Sequence, residues 1–254
     1  MLLTIDIGNS RTDVGLYSGN ELVRVFHYET SIYLTANEYR HRLSRHLDEF
    51  QVSPEDIREA IIASVVSDLS PVWERVVFDL FDVRPRFVNL SLSGGLGIAE
   101  DLEASDLGAD IIAACVGALS KYGSNCVVAD LGTASKLIYI NEKGEFGGLS
   151  IGPGLRMSSR ALRADTAALP EIRLAKPERA IGKNTKECLL SGIVYGAAMA
   201  VKGLASAFEE EAASPLTKIL TGGNAPHVAD LLPEFKYDET LVLDGLRVIN
   251  ERSK

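Results

Sequence analysis

The same short pattern occurs twice, about half the chain apart. Leu2-Leu3-Thr4-Ile5-Asp6 is an apolar run that ends in a carboxylate. Gly8, Asn9 and Ser10 follow, then a second run (RTDVGLY), a turn at Ser18-Gly19-Asn20, and a third run (ELVRVFHYE). From Asn125 the chain reads NCVVAD, then Leu131-Gly132-Thr133-Ala134, then SKLIYI, a turn at Glu142-Lys143-Gly144, and EFGGLSI. Apolar runs of this length separated by glycine turns predict strands joined as a meander. Two meanders, each with an Asp-x-Gly bend after its first strand, predict two similar halves, taken as 1–110 and 111–254.

Past each meander the period changes. In 36–50, Tyr39, Leu43, Leu47 and Phe50 fall on one helical face. AIIASVV (60–66) predicts a buried strand and PVWERVVFDLF (71–81) a helix. In the second half, 186–212 predicts a long helix rich in small residues, KILTGG (218–223) a strand running into a glycine turn, and 241–250 a last helix. Strands alternating with helices predict an α/β fold of mixed sheets flanked by helices.

Composition narrows the partners. A net charge of −9 argues against nucleic acid as the main partner. The three cysteines, Cys115, Cys126 and Cys188, sit in apolar stretches without a C-x-x-C motif. They predict reduced core thiols in a reducing compartment. Five residues precede Asp6, too few for a signal peptide's apolar region. No apolar run approaches the roughly 20 residues that span a bilayer. The expectation is a cytoplasmic protein without a membrane partner.

The paired bends carry the chemistry. In each, a carboxylate ends a buried strand, a glycine lets the chain turn, and hydroxyl and N–H groups follow, suited to phosphate and its cation. Other phosphate signatures are absent: Ile181-Gly182-Lys183-Asn184-Thr185 lacks the earlier P-loop glycine, where Pro177 stands. The four histidines, His27, His41, His46 and His227, show no metal-ligand spacing, and His41 and His46 read as a solvated helix face. Asp110, just before the apolar run IIAACVGAL, reads locally as a helix-start residue. Thr221-Gly222-Gly223-Asn224, after the strand KIL, reads either as a turn or as backbone on which a flat ligand can lie.

Taken together, MLLTIDIGNSRTDVGLY, IIASVV, LGAD (107–110), VVADLGTASK, EFGGLSIGPGLRMSSRALRADTAALP, IGKNTKECLLSG and LTGGNAPHVADLL resemble, in order, segments of the type III pantothenate kinase family. The resemblance implies two RNase H-like halves of the actin-like ATPase fold with the active site between them. It implies ATP-dependent phosphorylation of the primary hydroxyl of pantothenate, the first step towards coenzyme A, by a homodimer. Asp110 would be the general base. Asp6 would place Mg²⁺ and the nucleotide, with ATP contacts from Asp6, Gly8, Asn9, Ser10, Arg11, Thr12, Asp13, Gly132, Thr133, Gly222 and Gly223. Asp130 would bind K⁺ or NH₄⁺. Gly108, Ala109, Asp110, Ile111 and Thr185 would meet the acceptor.

Three positions depart from the family pattern. Ile111 stands where an arginine would bind the pantothenate carboxylate, a loss of about 2–5 kcal/mol. No tyrosine occurs in Ile98–Leu102, where one is expected, and the second bend continues into Ser135-Lys136 rather than two threonines. Lys136, Arg156 or Arg160 could replace the lost cation. The alternatives are a kinase for another small hydroxylated molecule and a non-catalytic nucleotide-binding relative.

Overall fold

The computed structural model describes every residue except Ala104. The chain runs β1 (Leu2–Ile7), β2 (Arg11–Ser18), β3 (Glu21–Glu29), α1 (Ala36–Glu49), β4 (Glu59–Ser64), α2 (Ser70–Phe81), β5 (Arg86–Phe87), β6 (Gly97–Ile98) and α3 (Ala109–Tyr122). It continues β7 (Cys126–Leu131), β8 (Ala134–Ile140), β9 (Glu145–Pro153), α4 (Leu155–Ala164), α5 (Thr185–Leu190), α6 (Gly196–Glu211), β10 (Thr217–Thr221), β11 (Lys236–Tyr237) and α7 (Leu241–Arg252).

Two compact units result. The first comprises 1–96, 103–121 and 241–254, the second 97–102 and 122–240. The division expected at residue 110 falls inside α3, which stays with the first unit. The reason is a close crossing of α3 and α7, where a Cβ on Gly245 would strike the Ala113 carbonyl and one on Gly117 that of Leu241.

In the first unit the strand order is β3-β2-β1-β4-β5. β1 runs antiparallel to β2 and parallel to β4. α1 begins in a capping box, with the Thr35 hydroxyl accepting from Glu38 N while Glu38 accepts from Thr35 N. Its face of Tyr39, Leu43 and Leu47 joins Trp73, Val76 and Val77 of α2 over Leu3, Ile5, Val14 and Leu16 of the sheet. His46, expected on a solvated face, instead stacks on Phe26 with ring centroids 5.1 Å apart and bonds the Tyr28 hydroxyl at 2.8 Å.

In the second unit the order is β11-β10-β7-β8-β9-β6. With β6 set aside, this is the first sheet repeated: β7 is antiparallel to β8 and parallel to β10. The repeat predicted from the two meanders is therefore a repeat of whole sheets. Val127, Ala129 and Leu131 pack under Val194, Ala198, Val201 and Ala205.

Those last residues belong to a continuous helix, Thr185–Glu211, interrupted by a π turn at Ser191–Tyr195. It is long and apolar enough to cross a membrane by length and composition, contrary to the expectation that no run is, and 39% of its most apolar window is buried in its own unit. Cys115 and Cys126 are buried, as expected, and burial pushes the Cys126 thiol up to about 12. Cys188 is exposed, because it lies on the open side of α5.

Candidate active site

In the first unit the segment 6–13 is a tight hairpin. Gly8–Ser10 makes the turn, and Gly8 N donates to Arg11 O at 3.0 Å. Asp6 and Asp13 are register partners on β1 and β2, and Asp13 is in turn opposite His27 on β3. Partners in an antiparallel pair project on one face. The two carboxylates are therefore side by side on the face opposite the core. Arg11 and His27 both engage Asp13, at 2.6 and 2.7 Å. Thr12 alternates to the other face, buried, with its hydroxyl 2.9 Å from that of Thr30, so only its backbone faces outward.

Gly108 and Ala109, expected to meet the acceptor, lie in the wall of a cavity of about 620 Å³. Ser64 and Val65 at the end of β4, Asn89 and Ser91 after β5, and Asp106 also line it. A cavity this size suits a small metabolite. Asp110 stands in the first turn of α3, its Oδ1 accepting from Ile111 N at 2.9 Å. A side chain at Gly108 would fall 2.6 Å from that oxygen, so the glycine leaves room for the carboxylate. Ile111 is 8% exposed, an apolar core residue beside Gly108. Among the described residues that line the cavity, none is cationic.

The second unit gathers the other predicted residues at the carboxyl ends of β7 and β10. Asp130 is the second-last residue of β7, Gly132 and Thr133 follow in the bend, and Gly222 and Gly223 follow β10. Asn224 ties the two loops, its side-chain amide donating to Gly132 O at 2.7 Å and its own N to Leu131 O at 2.8 Å. Gly222, at φ +93°, lies so close that a Cβ would sit 2.5 Å from Asp130 Oδ1. Thr185 is exposed at the start of α5, behind its N-cap Asn184.

Sequence reasoning did not foresee the partner of Asp130. Lys136 is its register partner on β8, and the ammonium lies 2.7 Å from Oδ2 with both side chains largely buried. Leu131 pairs with Ser135 across three residues, 132–134, so Asp130 and Lys136 fall opposite each other, a register centred on Thr133 that a two-residue bend at Gly132-Thr133 would have missed by one. Lys136 is thus committed to Asp130 rather than to an acceptor carboxylate. The other suggested replacements, Arg156 and Arg160, are exposed on α4.

The residues fit one expected cation and not the other. Mg²⁺ takes one or two carboxylates plus phosphate oxygens rather than a full protein cage. Asp6 suits that need, whereas both oxygens of Asp13 are already engaged by Arg11 and His27, and no cluster of three metal-ligating side chains occurs among the described residues. A monovalent cation on Asp130 does not fit, because an ammonium is already there.

A sheet of order 3-2-1-4-5 occurring twice, each copy carrying an aspartate at the end of its first strand and a glycine bend after it, places the chain among the kinases and ATPases of the actin-like fold. Solved structures agree on the fold. A protein described as a 2-dehydro-3-deoxygalactonokinase from Sinorhizobium meliloti superposes with a TM-score of 0.61 at 13% identity, over 100% of this chain and 96% of that one. The activator of 2-hydroxyisocaproyl-CoA dehydratase from Clostridium difficile, with ADPNP bound, superposes at 0.55 and 10% identity, over 99% and 95%. Sequence goes further. Residues 2–207 match the model of the type III pantothenate kinase family. Type III pantothenate kinases from Geobacillus kaustophilus and Anaeromyxobacter sp. strain K are 36% and 35% identical, each over 100% of this chain and over 98% and 100% of their own length. The chain belongs to the type III pantothenate kinase family, and it is a phosphotransferase.

Proposed function

We propose that the chain transfers the γ-phosphoryl group of ATP to the primary hydroxyl of pantothenate, giving 4′-phosphopantothenate and ADP at the start of coenzyme A synthesis. The observation that carries this reading is the 620 Å³ cavity whose wall runs through Gly108 and Ala109, with Asp110 next in the chain.

Phosphoryl transfer needs positioning and charge neutralisation more than covalent help from the protein. Asp110 accepts the hydroxyl proton as the new O–P bond forms and the bond to the ADP oxygen breaks. A carboxylate suffices because the proton leaves late. The helix start holds Asp110 in place through its bond from Ile111 N. Asp6 would hold Mg²⁺, which when bound neutralises charge on the phosphates, while Arg11 and His27 keep Asp13 in place beside it. Backbone N–H groups of Asn9 and Ser10, with that of Thr133, hold phosphate oxygens, while Gly8 N and Gly132 N close their own turns on Arg11 O and Ala134 O, and Gly222 and Gly223 offer bare backbone to the nucleoside. Thr185 meets the acceptor.

The chain works as a cytoplasmic homodimer. Gly192, Gly196 and Gly203 leave open space where a Cβ would stand, and Met199 and Leu204 are exposed on the same helix. Such a surface allows close helix approach.

A coupled ADP-release assay with pantothenate and Mg·ATP tests the reaction. Turnover that saturates with pantothenate supports it; no turnover at millimolar pantothenate overturns it. A second acceptor reading draws on Ile111 and the absence of a cationic side chain among the described cavity-lining residues. It predicts faster turnover with an uncharged pantetheine-like alcohol than with the carboxylate.

A further inference from the structure

The Asp130–Lys136 pair points to a cation built into the chain. We propose that the Lys136 ammonium is the resident monovalent cation of the nucleotide site, so that Mg·ATP binding and turnover need no free K⁺ or NH₄⁺. This rests on the reading that the 130–133 bend serves the nucleotide phosphates.

Three observations carry it. First, strand register delivers the charge. Asp130 and Lys136 are opposite each other on β7 and β8, which puts their side chains on one face at contact distance. The 2.7 Å separation and side-chain exposures of 14% and 12% make this a largely desolvated pair. A free ion would have to displace a tethered ammonium that gives up no translational freedom on binding.

Second, the surrounding oxygens are engaged by the protein. Leu131 O and Gly132 O accept from Asn224, Ala134 O accepts from Gly132 N, and Pro153 O accepts from the Ser135 hydroxyl. Asp130 Oδ1 faces Gly222, whose missing side chain leaves just the room the carboxylate occupies. A hard cation needs several oxygens around it, and here each of these four carbonyls already accepts a hydrogen bond from the chain.

Third, the two halves of the repeat differ at this position. The residue opposite Asp6 is a second carboxylate, Asp13, whereas the residue opposite Asp130 is Lys136. In the first pair the second carboxylate is engaged by Arg11 and His27 on its own sheet, and no ammonium stands at the register position opposite Asp6. The second pair is neutralised within itself and presents a fixed ammonium, a compact monovalent charge tethered to the strand.

Calorimetric titration of Mg·ATP into the full-length protein, in choline, sodium, potassium and ammonium chloride at matched ionic strength, tests this directly. The wild type is expected to bind within about twofold in all four salts, and ADP release to follow the same order. Lys136→Met is expected to weaken binding by about tenfold or more in choline and to recover in potassium or ammonium, a rescue that a merely structural lysine would not show. Lys136→Arg keeps a tethered charge and should stay indifferent to the salt. Wild-type binding that strengthens about tenfold with potassium overturns the proposal, whether or not Lys136→Met folds. So does Lys136→Met binding as tightly as wild type in choline. Absence of Mg·ATP binding in every salt overturns the nucleotide reading itself, and the two failures are thereby told apart.

Discussion

Gly222→Ala probes how tightly the second half-site is built. Gly222 has φ +93°, where an L side chain is strained. The added Cβ would lie 2.5 Å from Asp130 Oδ1 and 2.6 and 2.7 Å from Leu131 N and C. The two Leu131 atoms are backbone in the middle of a sheet, which cannot give way as a side chain tip can. Left-handed backbone costs an alanine about 1–2 kcal/mol. Overpacking a close contact adds about 1–3 kcal/mol. The expected loss is therefore about 2–5 kcal/mol, a large fraction of a domain's stability. It should appear in urea unfolding, and Mg·ATP affinity should fall as Asp130 is pushed off Lys136. Gly152→Ala is the control, since its Cβ meets nothing within 4 Å, and it should change stability by about 0.5 kcal/mol or less. Equal behaviour of the two variants would refute the argument that the loops meet over Asp130.

Three further outcomes are expected. Asp110→Asn should abolish phosphoryl transfer while leaving Mg·ATP affinity within about twofold by calorimetry, since the side chain acts on the acceptor's proton; equal loss of both would remove its role as base. Burial, with the Arg156 guanidinium nearby, holds the His227 imidazole below its ordinary range. The unfolded chain therefore takes up that proton first as pH falls, so stability should be full above about 6.5 and decline as pH drops below it towards the lower folded value. Comparing urea unfolding of wild type and His227→Gln at about pH 7.5 and 5.5 checks this, with a smaller decline expected in the variant. Met199→Glu places a charge on the exposed face of α6 and should shift the sedimentation of a dimer towards monomer.

The repeat was legible because its signals are local. Strand runs, glycine turns and a carboxylate at each first strand's end can be read within short windows, and so can the spacing of Tyr39, Leu43 and Leu47. Asp6 and Asp130 occupy equivalent places, one residue before the ends of β1 and β7, where the pattern put each at its strand's end. What escaped depends on partners distant in sequence or on facing direction. α7 returns to the first unit because Gly245 fits against Ala113, which no local window reports. Thr12 lies one position from Asp13, yet strand alternation turns its hydroxyl inward. His46 lies in a charged helix, but the stacking partner that shields it, Phe26, comes from β3. Lys136 looked like a spare cation until register set it on Asp130.

The most direct measurement of the central claim is the mass of the product. Full-length protein incubated with Mg·ATP and pantothenate should yield ADP and, in equal amount, pantothenate heavier by one phosphoryl group, and Asp110→Asn should yield neither. ADP formed without a phosphorylated acceptor, or pantothenate recovered unchanged under conditions where Mg·ATP binds, would contradict it.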